Sequence, residues 1–321
     1  MRLSENMLHG HSSAMFLIRA SIALCVAAFA MPVAAQAISV PELGRRFASV
    51  QQAVDAIGAG EGTVLLAPGI YRECAVQTQG VVHFESAEPG QAIFDGVACE
   101  DKAALVLRGG GASVTGIIFQ NMAVPDLNGA GIRLEQGDLA VSQSLFRNSE
   151  QGILTGPDPT ATITIDRSTF SGLGRNDGGP SHSLYVGDYA QVIVTRSRFE
   201  RGTGGHYVKS RSPRIRISDC SFDDTLGRET NYMIDLPAGA TGEISGNFFV
   251  QGANKENYSA FIAVAAEAQE YSSAGLSIHD NVARIGDNIN RTSVFVANWS
   301  GQRLALGPNQ LGPRLTAYEA R

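Results

Sequence analysis

Residues 113–121 read SVTGIIFQN, and residues 140–148 read AVSQSLFRN. In each, a valine is followed five positions later by a phenylalanine and then, after one more residue, by an asparagine. The aliphatic–phenylalanine spacing returns as Ile165 and Phe170, Val194 and Phe199, Ile217 and Phe222, and Ile244 and Phe249. Successive phenylalanines lie 27, 24, 29, 23 and 27 residues apart. A second short apolar run precedes each of these pairs, as in Leu105-Val106-Leu107, Ile132-Arg133-Leu134 and Leu184-Tyr185-Val186. Ile262-Ala263-Val264 and Val294-Phe295-Val296 continue the series towards the C-terminus. Strands this short, with no helical pattern between them, cannot form crossover βαβ units. They fit a coil of about 22 to 30 residues that winds back on itself and stacks each strand on the last at about 4.8 Å. The phenylalanines would then form a column inside, and Asn121 and Asn148 a hydrogen-bonded step at a bend.

Composition agrees with a turn-rich, strand-rich chain. Glycine is 36 of 321 residues, and charged residues are 17% against about 25% in an average domain. The net charge of −6 argues against a nucleic-acid partner, which needs a basic footprint. Residues 15–37 read as a secretory signal, with Arg19 ahead of an apolar stretch and an A-x-A site at 35–37; Met15 is then the true start. The apolar stretch is short for a membrane span, and Leu24 sits badly for a lipoprotein reading at Cys25. These features predict a periplasmic or secreted protein, monomeric and without a membrane span. Of the remaining cysteines, Cys74 and Cys99 are one coil apart and so are the better candidates for a disulfide; the alternative is three buried thiols.

Residues 46–57, RFASVQQAVDAI, place Phe47, Val50, Val54 and Ile57 on one helical face, with Ser49 as N-cap. An open stack of coils needs such a cover. A capping helix, then VLLAPGIYRE, then irregular coils with inward Phe and Asn resembles the right-handed parallel β-helix, or pectate lyase-like, superfamily. The fold expected is therefore all-β, a single-stranded right-handed parallel β-helix with an N-terminal capping helix. Its expected divisions are a signal at 1–37, linker and cap at 38–60, β-helix at 61–300 and a tail at 301–321. Because that superfamily holds lyases, hydrolases, epimerases, phage tailspikes and adhesins, the likeness does not fix an activity.

Chemistry concentrates at residues 204–222, GGHYVKSRSPRIRISDCSF. Strand alternation with Val186, Val208 and Ile234 inward puts Tyr185, Tyr207, Lys209, Arg211, Met233 and Asp235 outward, with Lys209 between Gly187 and Asp235. His182 and His206 fall at strand entries and reach the same face, as does Asp188. Lysine is rare, at Lys102, Lys209 and Lys255 against 22 arginines, yet stands at this strand position. Unlike arginine it can shed its proton, as a proton-abstracting base must. Residues 191–216 carry a formal +6, which leaves −12 for the rest of the chain. That suggests an anionic ligand held in one place, unless Arg214 and Arg216 lie on another sheet.

The leading expectation is an exported, carbohydrate-active protein acting on an acidic, uronate-containing polysaccharide by β-elimination or a related epimerisation. Lys209 would be the base, Arg211 the neutraliser of developing charge, and Tyr207, Tyr185, His206 or His182 the acid; Asp235, Asp188 and Met233 would line the sugar. The step Lys209-Ser210 further resembles the chondroitinase B and alginate lyase family, in which a Lys-Ser step carries the base. The arginine that family has on the following coil is here Asp235, which would keep the lysine charged. Two other classes stay open: a polygalacturonase-like hydrolase, which needs paired carboxylates, and a non-catalytic glycan-binding or structural β-helix. The loop at 173–183 is the expected floor or flap. His83 and His279 read as structural. No cofactor is implied, and no compact calcium motif is present among the loop carboxylates.

Overall fold

The structure, a computed structural model, describes residues 37–179 and 181–321. The expected signal segment lies outside them except for Ala37. Among the described residues the chain winds as a right-handed parallel β-helix with three faces. Each coil contributes in turn to a first sheet of twelve strands, a second of ten and a third of ten. The first two strands, Ile38–Val40 and Arg45–Phe47, pair antiparallel at the N-terminal edge of the first sheet. All later strand pairings are between parallel neighbours one coil apart, with isolated antiparallel bridges only at Cys99–Ala103 and Arg175–Ser181 among the described residues. No helix among the described residues is long and apolar enough to cross a membrane.

The interior column is continuous. Tyr71, Phe94, Phe119, Phe146, Phe170, Phe199, Phe222 and Phe249 stack face to face, with ring centroids 4.8–5.6 Å apart. Each occupies the same strand position of the second sheet, as in Phe119↔Phe146 and Phe146↔Phe170. Room for the rings comes partly from the third sheet: a Cβ added at Gly152 would stand 2.8 Å from the ring of Phe170.

The polar step sits at a different bend from the one expected. Asn121 and Asn148 are exposed, at φ of +60° and +52°, turning the chain from the second sheet to the third. The buried step lies where the first sheet turns into the second. There Ser144, Ser168, Ser197, Cys220, Asn247, Asn281 and Asn309 each accept the backbone N–H of the equivalent residue one coil earlier, at 2.9–3.5 Å. The side chains thus satisfy amides that the bend removes from the sheets. Asn247 also donates to the Ile217 carbonyl at 2.9 Å. Replacing it with alanine strands a buried donor and a buried acceptor, so Asn247→Ala should cost about 1–3 kcal/mol. A urea titration with unchanged m-value would check this; no shift of the midpoint would show that the step is not stabilising.

At the N-terminal end, the capping helix is shorter than the sequence suggests. It spans Val50–Ile57, with Ser49 Oγ accepting the Gln52 N–H at 3.2 Å. Phe47 belongs to the preceding strand. Val50, Ala53 and Val54 join the core, and Gln51 hydrogen-bonds both the N–H and the carbonyl of Val76. The helix therefore covers the apolar end and the open strand edge together. Cys74 and Cys99, on adjacent coils, form a disulfide, while Cys220 is a buried free thiol. At the other end, residues 301–321 are no separate tail. Ala305–Leu306, Gln310–Leu311 and Leu315–Ala320 add one strand to each sheet and complete a further coil.

Candidate functional site

On the outer side of the third sheet, Leu184–Val186, Val208–Ser210 and Ile234–Leu236 lie side by side. Their register places Tyr185 beside Lys209 and Lys209 beside Asp235. Gly187 is therefore two residues away from the position expected for it. It leaves no open space, since an added Cβ would stand 2.4 Å from the carbonyl oxygen of Gly156. Leu184 and Val186 face inward, as do Val208 and Ile234.

The three-residue strands carry alternation only over their own length. Tyr207 and Met233 precede their strands and turn into the core, at 1% and 0% exposure. Tyr207 donates its hydroxyl to Asp224 at 2.7 Å, and burial followed by the Asp224 charge pushes its ionisation well above the usual range. Neither residue lines the outer face, so the proposed acid role of Tyr207 and the sugar-lining role of Met233 are withdrawn. Asp188 lies half-buried at the bend leaving this sheet, where it accepts from the Tyr271 hydroxyl at 2.7 Å.

The remaining residues converge. Lys209 Nζ lies 3.2 Å from Asp235 Oδ2 and also donates to Glu267. Arg211 donates through Nη2 to the other oxygen of Glu267, and through Nε to the Tyr185 hydroxyl at 3.1 Å. His206 Nε2 stands 3.4 Å from Asp235 Oδ2. The rings of His182, His206 and Tyr232 stack along the sheet at 5.0 and 5.6 Å, and Tyr185 lies against His182 at 5.7 Å. The His206 backbone N–H donates to His182 Nδ1 at 3.0 Å, which assigns neutral His182 the Nε2–H tautomer. Buried polar atoms on this face without a hydrogen-bond partner include His206 Nδ1, Asp235 Oδ1 and, on the coil before His182, Gln151 Oε1.

Burial governs the electrostatics. It raises Asp235 to about 6 against the opposing pull of Lys209. It lowers His182 to about 3, with the Lys209 charge acting in the same sense, and drives His206 well below its ordinary value, so both imidazoles are neutral. For Glu267 burial acts upward, but the hydrogen bonds from Lys209 and Arg211 outweigh it and hold the carboxyl below the usual range.

Glu267 is the residue that sequence reasoning missed. It belongs to the segment after Ala260–Val264, a loop with no strand pattern, whose Glu267 and Ala268 amides both donate to the Pro237 carbonyl. Nothing in the sequence ties it to Lys209, 58 positions earlier. The loop at 173–183 also differs from the expected floor. Ser181 donates to the Leu127 carbonyl and Arg175 pairs with Glu150, so the loop lies along the bend entering the third sheet.

The basic run at 191–216 is dispersed. Arg198 lies on the second sheet and Arg214 and Arg216 on the first, while Lys209 and Arg211 alone face the third-sheet cluster. Arg196 pairs with Asp166 at 2.8 Å and Arg198 with Glu200 at 2.5 Å. A run of 26 residues is about one full coil, so its charges are carried round the molecule. Among the described residues no three His, Cys, Asp or Glu side chains gather as metal ligands.

No curated protein matches the chain. Among solved structures, the deglycosylated pectin methylesterase of Aspergillus niger aligns over 84% of this chain and 86% of its own, at 12% identity and a TM-score of 0.48. The ORF18 protein of Geobacillus virus E2 aligns over 84% and 56%, at 13% identity and 0.48. The Streptococcus pneumoniae surface protein and adhesin PfbA aligns over 84% and 94%, at 11% identity and 0.36. At such identities the likeness concerns the fold alone. The family described as the right handed beta helix region matches residues 103–289. With that match, a three-sheet parallel coil and a continuous interior phenylalanine column, the chain belongs to the right-handed β-helix family.

Proposed function

We propose that the protein is exported and that its third face acts on an acidic, uronate-type glycan, removing the proton beside the sugar carboxylate to give β-elimination or epimerisation. One observation carries the reading. Lys209, at a strand centre, and Arg211, just past the end of the same strand, close on the carboxylate of Glu267, and beside them His206 Nδ1 and Asp235 Oδ1 are buried without hydrogen-bond partners. Export is supported by the disulfide, which forms in oxidising compartments.

In this reading a uronate carboxylate takes the place of Glu267 between the two cations, which then neutralise charge developing on it. Lys209 donates to two carboxylates, so it serves as the cation and the base role passes to His206. With Nε2–H directed at Asp235, neutral His206 keeps the lone pair of Nδ1, which substrate binding must uncover before the proton beside the carboxylate moves there. In elimination the carbon–oxygen bond to the leaving sugar breaks as the carbon–carbon double bond forms. Tyr185, whose oxygen accepts from Arg211, supplies its own proton to the leaving oxygen. In epimerisation the carbon–oxygen bond stays intact, and Tyr185 delivers its proton to the opposite face of the same carbon while His206 keeps the one removed.

The test is incubation of the purified protein with uronate polysaccharides, following ultraviolet absorbance of an unsaturated product and deuterium uptake in heavy water. His206→Ala and Tyr185→Phe should each lower the rate about 10²–10⁴-fold, as loss of a general base or acid does. Glu267→Gln should tighten binding several-fold, because the internal competitor loses its charge. Reducing ends without either signal would make the protein a hydrolase and sink the proposal. A hydrolase is the poorer fit, since Asp188 is engaged by Tyr271, Glu267 is engaged by Lys209 and Arg211, and among the described residues no other carboxylate joins Asp235 in the cluster. A binding-only protein is favoured by one feature, the closure of both cations by Glu267. It predicts affinity without product.

A further inference from the structure

The bend from the second sheet to the third carries a second polar surface, outside the cluster just described. Two depressions of 570 and 290 Å³ lie on it and share Asn148, Gly172 and Thr203, so they form one trough. Asn121, Asn148, Gly172 and Arg201 stand on successive coils of this trough, all in left-handed backbone with φ of +52° to +66°. Leu226 and Arg228 extend it by one more coil. The trough therefore follows the coil axis over five coils, at the strand spacing of about 4.8 Å per coil. None of its lining residues belongs to the Lys209 cluster.

Its walls are pre-formed. The Glu150 carboxylate, 5% exposed, accepts from the Val124 and Gly129 amides at 3.0 and 2.8 Å and from Arg175 at 3.1 Å. Thr203 donates its hydroxyl to the Gly174 carbonyl at 2.7 Å. Against this fixed wall the trough presents the Asn121 and Asn148 amides, the exposed guanidinium groups of Arg201 and Arg228, Leu226 at 61% exposure and the exposed Asp177 carboxylate, which Arg175 neutralises.

We infer that this trough binds an extended anionic oligosaccharide lying parallel to the coil axis, independently of the third-face site. The side-chain amides of Asn121, whose Nδ2 donates to Asp95 at 2.7 Å, and of Asn148 one coil on suit the hydroxyls of neighbouring sugars. The guanidinium forks suit its carboxylate or sulfate groups, and Leu226 suits the apolar face of a sugar ring. A peptide strand would need an open sheet edge. The bend offers none, because the Asn121, Asn148 and Gly172 amides already donate to carbonyls one coil on. A nucleic-acid strand would need stacking platforms and a basic balance. The trough has no aromatic lining, and the chain is −6.

The experiment is calorimetric titration of the Lys209→Ala protein, with and without Asn148→Ala and Arg228→Ala. The probes are a hexa-galacturonate, a heparin-derived hexasaccharide and the carboxyl-reduced, neutral counterpart of the first. At least one charged probe should bind saturably with Lys209 removed, and which one separates carboxylate from sulfate recognition. The two trough substitutions should then weaken it about tenfold or more, the loss expected when a charge-assisted hydrogen bond is removed. The neutral counterpart should be weaker by a similar factor. Circular dichroism and the melting temperature establish that the variants fold. Folded trough variants that bind as well as their parent overturn the inference, as does the absence of saturable binding by either charged probe. Binding present in the wild type and lost on Lys209→Ala alone would overturn it while leaving the third-face proposal standing.

Discussion

Between pH 6.5 and pH 5 the protein should lose about 1.4 kcal/mol of stability per pH unit, the slope of one extra proton bound by the unfolded chain, and more steeply below that, where depressed carboxylates such as Glu100 and Asp166 add to it. Three groups on the third face set the slope above pH 5. His182 falls to about 3 and His206 well below its usual value, both chiefly through burial. Their folded-state values are depressed, so below the ordinary histidine value of about 6.5 the unfolded chain binds two protons that the folded one excludes. Stability from these two is present above that pH and drains away as pH falls. Asp235 works the other way. Its folded value is raised to about 6, so between about pH 4 and 6 the folded state holds one proton that the unfolded chain has released. Its contribution is present at low pH and lost as pH rises through 6. Two protons against one leave a net acid lability. Urea midpoints at fixed salt across this range give the slope. With His182→Gln and His206→Gln combined, Asp235 dominates between pH 6.5 and 5, above the range where depressed carboxylates such as Glu100 and Asp166 take up protons in the unfolded chain, and there the sign should reverse, stability rising as pH falls. A wild-type protein equally stable at pH 4.5 and pH 7 would refute this account of the cluster.

Asp224→Ala should cost about 3–5 kcal/mol, the range found when one partner of a buried ion pair is removed. At about 2–4 °C per kcal/mol for a chain of this size, the melting temperature should fall by about 10 °C. The Asp224 and Lys255 side chains are both fully buried and 3.1 Å apart. The carboxylate also accepts from the Tyr207 hydroxyl at 2.7 Å, the Thr230 hydroxyl at 2.8 Å and the Gly252 amide at 3.1 Å. Alanine therefore leaves a buried ammonium and several donors unmatched together. The companion change, Asp224→Asn with Lys255→Met, keeps an acceptor for the two hydroxyls and removes both charges, so it should recover most of the loss. If Asp224→Ala shifts the urea midpoint by less than about 1 kcal/mol, the pair is not the bolt of this bend.

The same pair explains why part of the site could not be read ahead. Tyr207 was placed on the outer face by alternation counted back from Val208. Inside a strand that count is dependable, because successive side chains must point to opposite sides. The strand here is Val208–Ser210, and Tyr207 lies just before it in a bend that resets the direction, where Asp224 draws the hydroxyl inward. Met233 fails for the same reason ahead of Ile234–Leu236. Lys209 and Asp235 sit at strand centres, so the expected pairing between them is the one found, at 3.2 Å. Whether Asp235 opposes Lys209 or works beside it has a geometric answer: one oxygen meets Lys209 and His206, and the other has no hydrogen-bond partner.

What the amino-acid sequence determined by itself was the coil. The spacing of the phenylalanines specifies a column that only a stack of parallel strands can bury, and Ser49 with its apolar helix specifies the cap. These are short-range or periodic signals, repeated often enough to override any single irregular loop. What only the tertiary structure decided was the company each charge keeps. Glu267 reaches Lys209 and Arg211 across 58 and 56 positions through a loop without pattern. The arginines at 191–216, neighbours in sequence, are dispersed because one coil of chain passes all three faces. The buried step at the bend is built from Ser, Cys and Asn interchangeably, since any side chain that can accept a backbone N–H will serve. Such partnerships depend on where loops return in space, which a period of about one coil with variable insertions leaves unspecified.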